Sequence, residues 1–294
     1  MKRFLISLSI IILLLSGCAP QAPAQIAATT LPVYEFTSRI CAGTGLSVTR
    51  LVTESVSCLH DYTLNVNQVK AAEGAQLIVI SGAGLEGFLE DILHGKDAID
   101  ASQGIALLCP EENSEHSHDH AHEEDGHHHE NDPHIWLSPV NAVMMARNIC
   151  SGLTARYPEH ADTFAANLAG LTAQLDALQA YGEETLASLN CRDMVTFHDG
   201  FAYFAEAFDL HILEAVEEES GSEASARELI HLIGIVEDHN LPAIFTEVNG
   251  SVSAADVISR ETGAITFPLD MAMSGDSYLD AMYRNIQTIQ EALG

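Results

Sequence analysis

From Ile26 onward the chain alternates between short apolar runs and stretches in which apolar residues recur every three or four positions. IAATTL (26–31) and LSVTRLV (46–52) read as strands. Between them, Pro32 suits a first helical position, and Val33, Phe36 and Ile40 at helical spacing predict a helix ending near Gly43. Residues 65–72 and 85–93 read as helical, and AQLIVISG (75–82) as a β-branched strand buried on both faces; IALLC (105–109) reads as another strand.

Ser138-Pro139 opens a helix with Val143, Ala146, Ile149, Cys150 and Leu153 on one side, ended by Pro158. From 159 to 189 helix formers continue, with Phe164, Leu168, Leu171, Leu175, Leu178 and Leu186 at helical intervals and Gly182 as the weak point. The βα alternation then restarts. MVTFH (194–198), PAIFTEV (242–248) and AITFPL (264–269) read as strands, and GFAYFAEAF (200–208) as an aromatic-faced helix. Ser220 to Glu223 has capping-box spacing before a helix running to about His239, and a final helix runs from about Ser277 to Leu293. Strands alternating with helices predict an α/β fold with parallel sheets flanked by helices. Two lobes are expected, 26–158 and 190–294, joined by one long rigid helix at 159–189 with a cleft between them.

The first seventeen residues do not fit this plan. Lys2 and Arg3 precede an apolar run from Phe4 to Leu15, which is too short to span a bilayer and has the form of a secretion signal. It ends in Leu15-Ser16-Gly17-Cys18, which resembles the cleavage box of bacterial lipoproteins, so Cys18 is expected to carry lipid. Residues 18–25 then form a tether, and the mature protein is expected to be extracytoplasmic and anchored by lipid to the cell membrane. Five cysteines remain, Cys41, Cys58, Cys109, Cys150 and Cys191; their pairing is open, and none forms a Cys-x-x-Cys pair.

Over its 294 residues the chain is 47% hydrophobic, which excludes general disorder, and it carries a formal charge of -30. That charge excludes nucleic acid as a partner and favours a cationic ligand, although acidity also confers solubility. Histidine narrows the choice. EHSHDHAHEEDGHHHEND (115–132) holds seven histidines, His116, His118, His120, His122, His127, His128 and His129. The segment 111–132 has no large apolar residue to fix them in one geometry, so it reads as a loop of weak, exchanging metal sites or as a solvated linker.

A tighter set comes from residues placed just after apolar strands, where open parallel sheets gather ligands. His60 lies in CLHDYTL, His134 in NDPHIWLSP, His198 ends MVTFH, and Asp270 follows AITFPL. Three neutral imidazoles and one carboxylate suit tetrahedral Zn²⁺, whereas manganese is better matched by more oxygen. Around these residues the chain resembles the metal-binding lipoproteins of bacterial ABC importers, within them the zinc-uptake ZnuA type. The stretches that carry the resemblance are HDYTL, DPHIWLSP, FHDGFAYFAEAFDL and GDSYLDAMYRNI.

The resemblance implies two α/β lobes, a rigid linking helix, and one metal ion held in the cleft by His60, His134, His198 and Asp270. It also implies delivery to a membrane permease, by a protein expected to act as a monomer and not as an enzyme. Manganese-specific members usually carry a carboxylate where His198 stands. The family commonly has proline before its first histidine, where this chain has Cys58-Leu59, and often proline after the fourth ligand, where it has Met271. Cys58 is thus an alternative thiolate ligand, and water or another carboxylate an alternative to Asp270. Asp61, Asp199 and Glu247 are candidates to support the ligands or simply to cap turns and helices. Trp136 and the aromatics of 201–208 read as core and cleft wall, and His94, His160, His211, His231 and His239 as structural, with no companion set. Manganese or another divalent metal is the alternative cargo. A zinc hydrolase is the alternative class, disfavoured because no H-E-x-x-H pattern occurs.

Overall fold

The computed structural model describes residues 24–54, 59, 62–108, 131–216, 225–248 and 250–294. The first lobe contains β1 (Ile26–Ala28), α1 (Leu31–Ile40), β2 (Val48–Arg50), α2 (Val66–Gly74), β3 (Leu77–Ile80), α3 (Glu90–Leu93) and β4 (Ala98–Asp100). After α4 (Pro139–Arg156) and a short 3-10 turn comes the 26-residue α5 (Ala161–Leu186). The second lobe contains β5 (Asp193–Thr196), α6 (Ala202–Ala207), β6 (His211–Ala215), α7 (Ala226–Asp238), β7 (Ala243–Glu247), α8 (Ser253–Thr262), β8 (Ile265–Leu269) and α9 (Tyr278–Leu293).

Both sheets are parallel and four-stranded, ordered β2-β1-β3-β4 and β6-β5-β7-β8 among the described residues. The two orders are the same plan used twice. In each, the chain direction along the sheet reverses beside the first strand, and this opens a crevice at the carboxyl ends of the strands. His198 follows β5 and Glu247 ends β7, the two strands that flank the crevice in the second lobe.

Local chemistry explains the helix starts. Asn65 accepts from the backbone of Asn67 and Gln68 while Gln68 reaches back, a capping box for α2. Ser138 and Ser277 cap α4 and α9 in the simpler way. The box that starts α7 is Ser225 with Glu228, not the Ser220–Glu223 set, which lies outside the described residues. Both sets share the spacing; only Ser225 adjoins the amphipathic run. Residues 105–108 are not a strand. The fourth strand is the shorter β4, and the chain turns immediately after it because Asp100 accepts from Ser102 and Asn148 donates to the carbonyls of Ala101 and Gln103. The short strands β4 and β6 and the helix α8 complete the two lobes.

A single apolar core runs through both lobes, from Ile26, Phe36 and Val79 through Leu171 and Leu178 of α5 to Phe204, Leu269 and Ile286. The helix α5 buries Phe164, Leu171, Leu175, Leu178, Gly182 and Leu186, one stripe that packs on α1 and α4 in its first half and on α9 in its second. Polar contacts reinforce the join: Asn167 donates to the carbonyls of Ile40 and Ala42, and Arg39 donates to Gln174. Among the described residues Cys41, Cys150 and Cys191 are free thiols, and burial pushes Cys41 up to about 12, with nearby Cys150 adding to the shift.

Two predictions follow from how the core is built. The Phe208 ring packs directly on the backbone at Gly182, where an added Cβ would overlap it. Gly182→Ala should therefore destabilise by about 1–3 kcal/mol despite alanine's better helix propensity; a rise in chemical stability would contradict this packing. The second concerns Glu86, which is buried and accepts from Thr29 Oγ1 (2.7 Å), Ser81 N (2.6 Å) and Gly82 N (3.0 Å). Burial nonetheless pushes its carboxyl up to about 7, with Asp100 adding to the shift. A raised acid holds a proton in the folded state that the unfolded chain releases. Its contribution is therefore most favourable at low pH and falls as pH rises from the ordinary carboxyl value of about 4.3 to about 7. Unfolding free energies of the natural chain minus those of Glu86→Gln should fall by on the order of 1–3 kcal/mol across that window. A difference independent of pH would contradict it.

Candidate metal centre

His134 is set by its own turn. Asp132 Oδ1 accepts from both the backbone N–H of His134 (2.8 Å) and its ring Nδ1 (2.8 Å), so one carboxylate fixes backbone and imidazole together. The ring is 2% exposed and lies edge-on to the fully buried Trp136, 5.4 Å between centroids. Asp132 is held in turn: its N–H donates to Leu108 O (2.8 Å), and the Tyr203 hydroxyl donates to its carbonyl (3.0 Å) while accepting from Leu108 N (2.9 Å). Residues 108 and 132, the two ends of the histidine-rich segment, are thus tied together and to a residue of the second lobe.

His198 comes from that second lobe. Its Nδ1 is 3.0 Å from Glu247 Oε1, a carboxylate that is 6% exposed. Both Nδ1 atoms face carboxylates, an arrangement that favours the tautomer with its proton on Nδ1 and its lone pair on Nε2. Those two nitrogens meet: His134 Nε2 and His198 Nε2 are 3.4 Å apart, with the rings at 83°. Two lone pairs aimed at each other repel unless a cation lies between them. A tetrahedral ion with metal–nitrogen bonds of about 2.0–2.1 Å has ligand–ligand edges of about 3.3–3.4 Å. The pair is spaced as one edge of such an ion's shell.

The other residues singled out in the sequence fall in different places. Asp270 sits at the end of β8 with Oδ1 accepting from Ala272 N (2.8 Å) and Oδ2 3.3 Å from Arg284 Nη2, so its carboxylate is turned to these donors. Among the described residues no three His, Cys, Asp or Glu side chains are grouped to hold a metal ion. His60, Asp61 and Cys58 lie outside the described residues, as do Cys18, Cys109 and His116, His118, His120, His122, His127, His128 and His129. Of the neighbouring chain, Leu59 is buried in the core, and Tyr62 N donates to its carbonyl (3.1 Å).

Glu247 supports a histidine and caps no helix, since α8 begins only at Ser253. Asp132 went unnoticed in the sequence, although an acid two residues before a histidine has the right reach for this turn. His211 and His239 do have a companion: both Nδ1 atoms face Asp193, at 3.2 and 3.6 Å, at the start of β5. Trp136 is core, as expected from its apolar neighbours, but its indole also donates to Met271 O (2.8 Å) across the lobes.

The family described as zinc-uptake complex component A, periplasmic (ZnuA), matches residues 26–292. The zinc-binding lipoprotein AdcA of Streptococcus pneumoniae is 31% identical over 307 residues, covering 99% of this chain; the chain spans 60% of that relative's length. A putative metal-binding protein of Treponema pallidum is 28% identical over 96% of this chain and 93% of its own length. The crystal structure of ZnuA superposes with a TM-score of 0.77 at 28% identity, covering 92% of this chain and all of that one. Zn(II)-bound AdcA from S. pneumoniae gives 0.74 at 28% identity, over 91% of this chain and 57% of that one. With the match extending over both lobes and the linking helix, the chain belongs to the ZnuA family of periplasmic zinc-uptake components.

Proposed function

We propose that this protein captures Zn²⁺ where its two lobes meet and delivers it to the membrane permease of an ABC importer. The observation that carries the reading is the pair of Nε2 atoms 3.4 Å apart, one from each lobe, each backed by a buried or nearly buried carboxylate. Two imidazoles on one edge favour zinc over the oxygen-preferring cations. His60 and Asp270 complete the proposed shell, Asp270 by turning its carboxylate from Ala272 and Arg284 toward the ion. The relatives AdcA and ZnuA, named for zinc, support the same cargo.

The outer carboxylates have a defined task. Asp132 and Glu247 favour the tautomer in which Nε2 can ligate and make those nitrogens more basic. Binding therefore competes with protons, because only neutral imidazoles ligate. In the proposed setting Cys18 carries the lipid, residues 18–25 tether the body to the membrane, and the protein works as a monomer. No helix among the described residues is long and apolar enough to cross a membrane. The segment 111–132, closed at its base by Leu108, Asp132 and Tyr203, is proposed as an auxiliary collector of zinc near the site. A family of uptake components leaves the hydrolase reading without support.

Calorimetric zinc titration separates these parts. The mature chain should show one tight site plus weaker ones, and a form lacking 111–130 should lose only the weaker ones. His198→Ala and His60→Ala should abolish tight binding, whereas Asp132→Ala and Glu247→Ala should weaken it by about 10- to 100-fold. Tight binding that survives His198→Ala, or that disappears with the histidine-rich segment, would contradict the assignment.

A further inference from the structure

The segment after β8 is held in an uneven way. Its backbone is clamped: Asp270 N donates to Asn285 Oδ1 (2.8 Å), and Asn285 Nδ2 donates to Asp270 O (2.7 Å), from a side chain 2% exposed. The next carbonyl, of Met271, accepts from Trp136, the residue that meets His134 edge-on. The Met271 side chain and the His198 ring border the same face of Gly200, where an added Cβ would lie 2.6 Å from both Met271 Cε and His198 Cδ2. Ala272, fully buried, is fixed in the left-handed region at φ 52°. This backbone thus runs beside both imidazoles and cannot easily move.

The Asp270 side chain is restrained far less. One oxygen takes the Ala272 N–H, and the other pairs at 3.3 Å with Arg284, whose side chain is 61% exposed. An ion pair so open to water is weak and exchanges readily. Arg284 stands on α9 one residue before Asn285, so the helix that clamps the Asp270 backbone also carries the charge that holds its carboxylate.

We propose that Arg284 is the counter-charge that competes with the bound cation for the Asp270 carboxylate, and that it sets how tightly the site holds the cation and how fast it releases it. The proposal rests on Asp270 being a ligand, as assigned above. A carboxylate oxygen on the guanidinium must leave it, or share it, to reach the ion. A fixed positive charge near a dication also raises the energy of the loaded site. A guanidinium stays charged at every physiological pH, so this opposition is constant where that of the histidines varies with protons. During release Arg284 takes the carboxylate back, and the departing ion leaves no unpaired anion in a chain whose net charge is already -30. The effect is a trade of affinity for turnover, made by a residue that does not touch the metal.

The test compares zinc affinity, by competition with a chelator, and zinc release, by stopped-flow capture, in the full chain and in Arg284→Gln, Arg284→Lys, Asp270→Asn and the Asp270→Asn/Arg284→Gln pair. Arg284→Gln should bind about two- to five-fold more tightly, with the change in the release rate. Arg284→Lys should stay near the natural chain, and the gain should vanish in the Asp270→Asn background. Weaker binding by Arg284→Gln would overturn the proposal, since it would make Arg284 an orienting partner of the ligand. Unchanged binding by Arg284→Gln, where Asp270→Asn does weaken binding, would overturn it too. If Asp270→Asn leaves affinity unaltered while His198→Ala abolishes it, the proposal falls with the fourth ligand, and zinc capture by the histidines stands.

Discussion

Two imidazole nitrogens, one from each lobe, face each other at 3.4 Å, each on a ring whose far nitrogen faces a carboxylate. With both Nε2 lone pairs turned inward the rings would repel and tend to part. Much of the surrounding structure resists that. Asp132 and Glu247 fix the rings by their far nitrogens, Tyr203 ties the Asp132 carbonyl to the second lobe, and Trp136 and Tyr278 bind the lobes together through Met271 and through the Trp136 carbonyl. The long helix α5 and the continuous core beneath keep the lobes from drifting. A site assembled this way approaches its ion already shaped, so little of the binding energy goes into ordering the protein.

Rigidity alone would make a trap, and an uptake component must let its cargo go. In the proposed site the mobile choice falls to Asp270, whose clamped backbone carries a lightly held carboxylate beside an exposed arginine. On the account proposed here the histidines supply selectivity for a nitrogen-loving cation, and the Asp270–Arg284 pair supplies the opposition that keeps binding reversible. Among the described residues the lobes divide this labour unevenly: the first contributes His134 with its turn, and the second contributes His198, Glu247, Asp270 and Arg284.

The sequence displayed the large elements well, because they rest on periodicity. The stripe from Phe164 to Leu186 named the linking helix, and β-branched runs at 77–80 and 243–247 named central strands. It misled at 105–108, where apolar residues pack on the core without pairing in a sheet, and at Ser220–Glu223, whose spacing is repeated five residues on by the true cap. His198 stood out as a candidate because it follows a strand, where open α/β sheets collect ligands, whereas His134 lies well past β4, before α4. Their partners were harder to see. Glu247 lies 49 positions from His198 and meets it only through the pairing of β5 with β7. The sharing of Asp193 by His211 and His239 likewise depends on folding and leaves no local trace.

The central claim is that one zinc ion bridges the lobes through imidazole nitrogens. X-ray absorption at the zinc edge, on the chain lacking 111–130 and loaded with one equivalent, tests it most directly. The account predicts a first shell of nitrogen and oxygen only, at about 2.0–2.1 Å, with outer-shell scattering from three imidazole rings. A sulfur shell at about 2.3 Å, the mark of a Cys58 thiolate, or a shell with fewer than two imidazoles would contradict it.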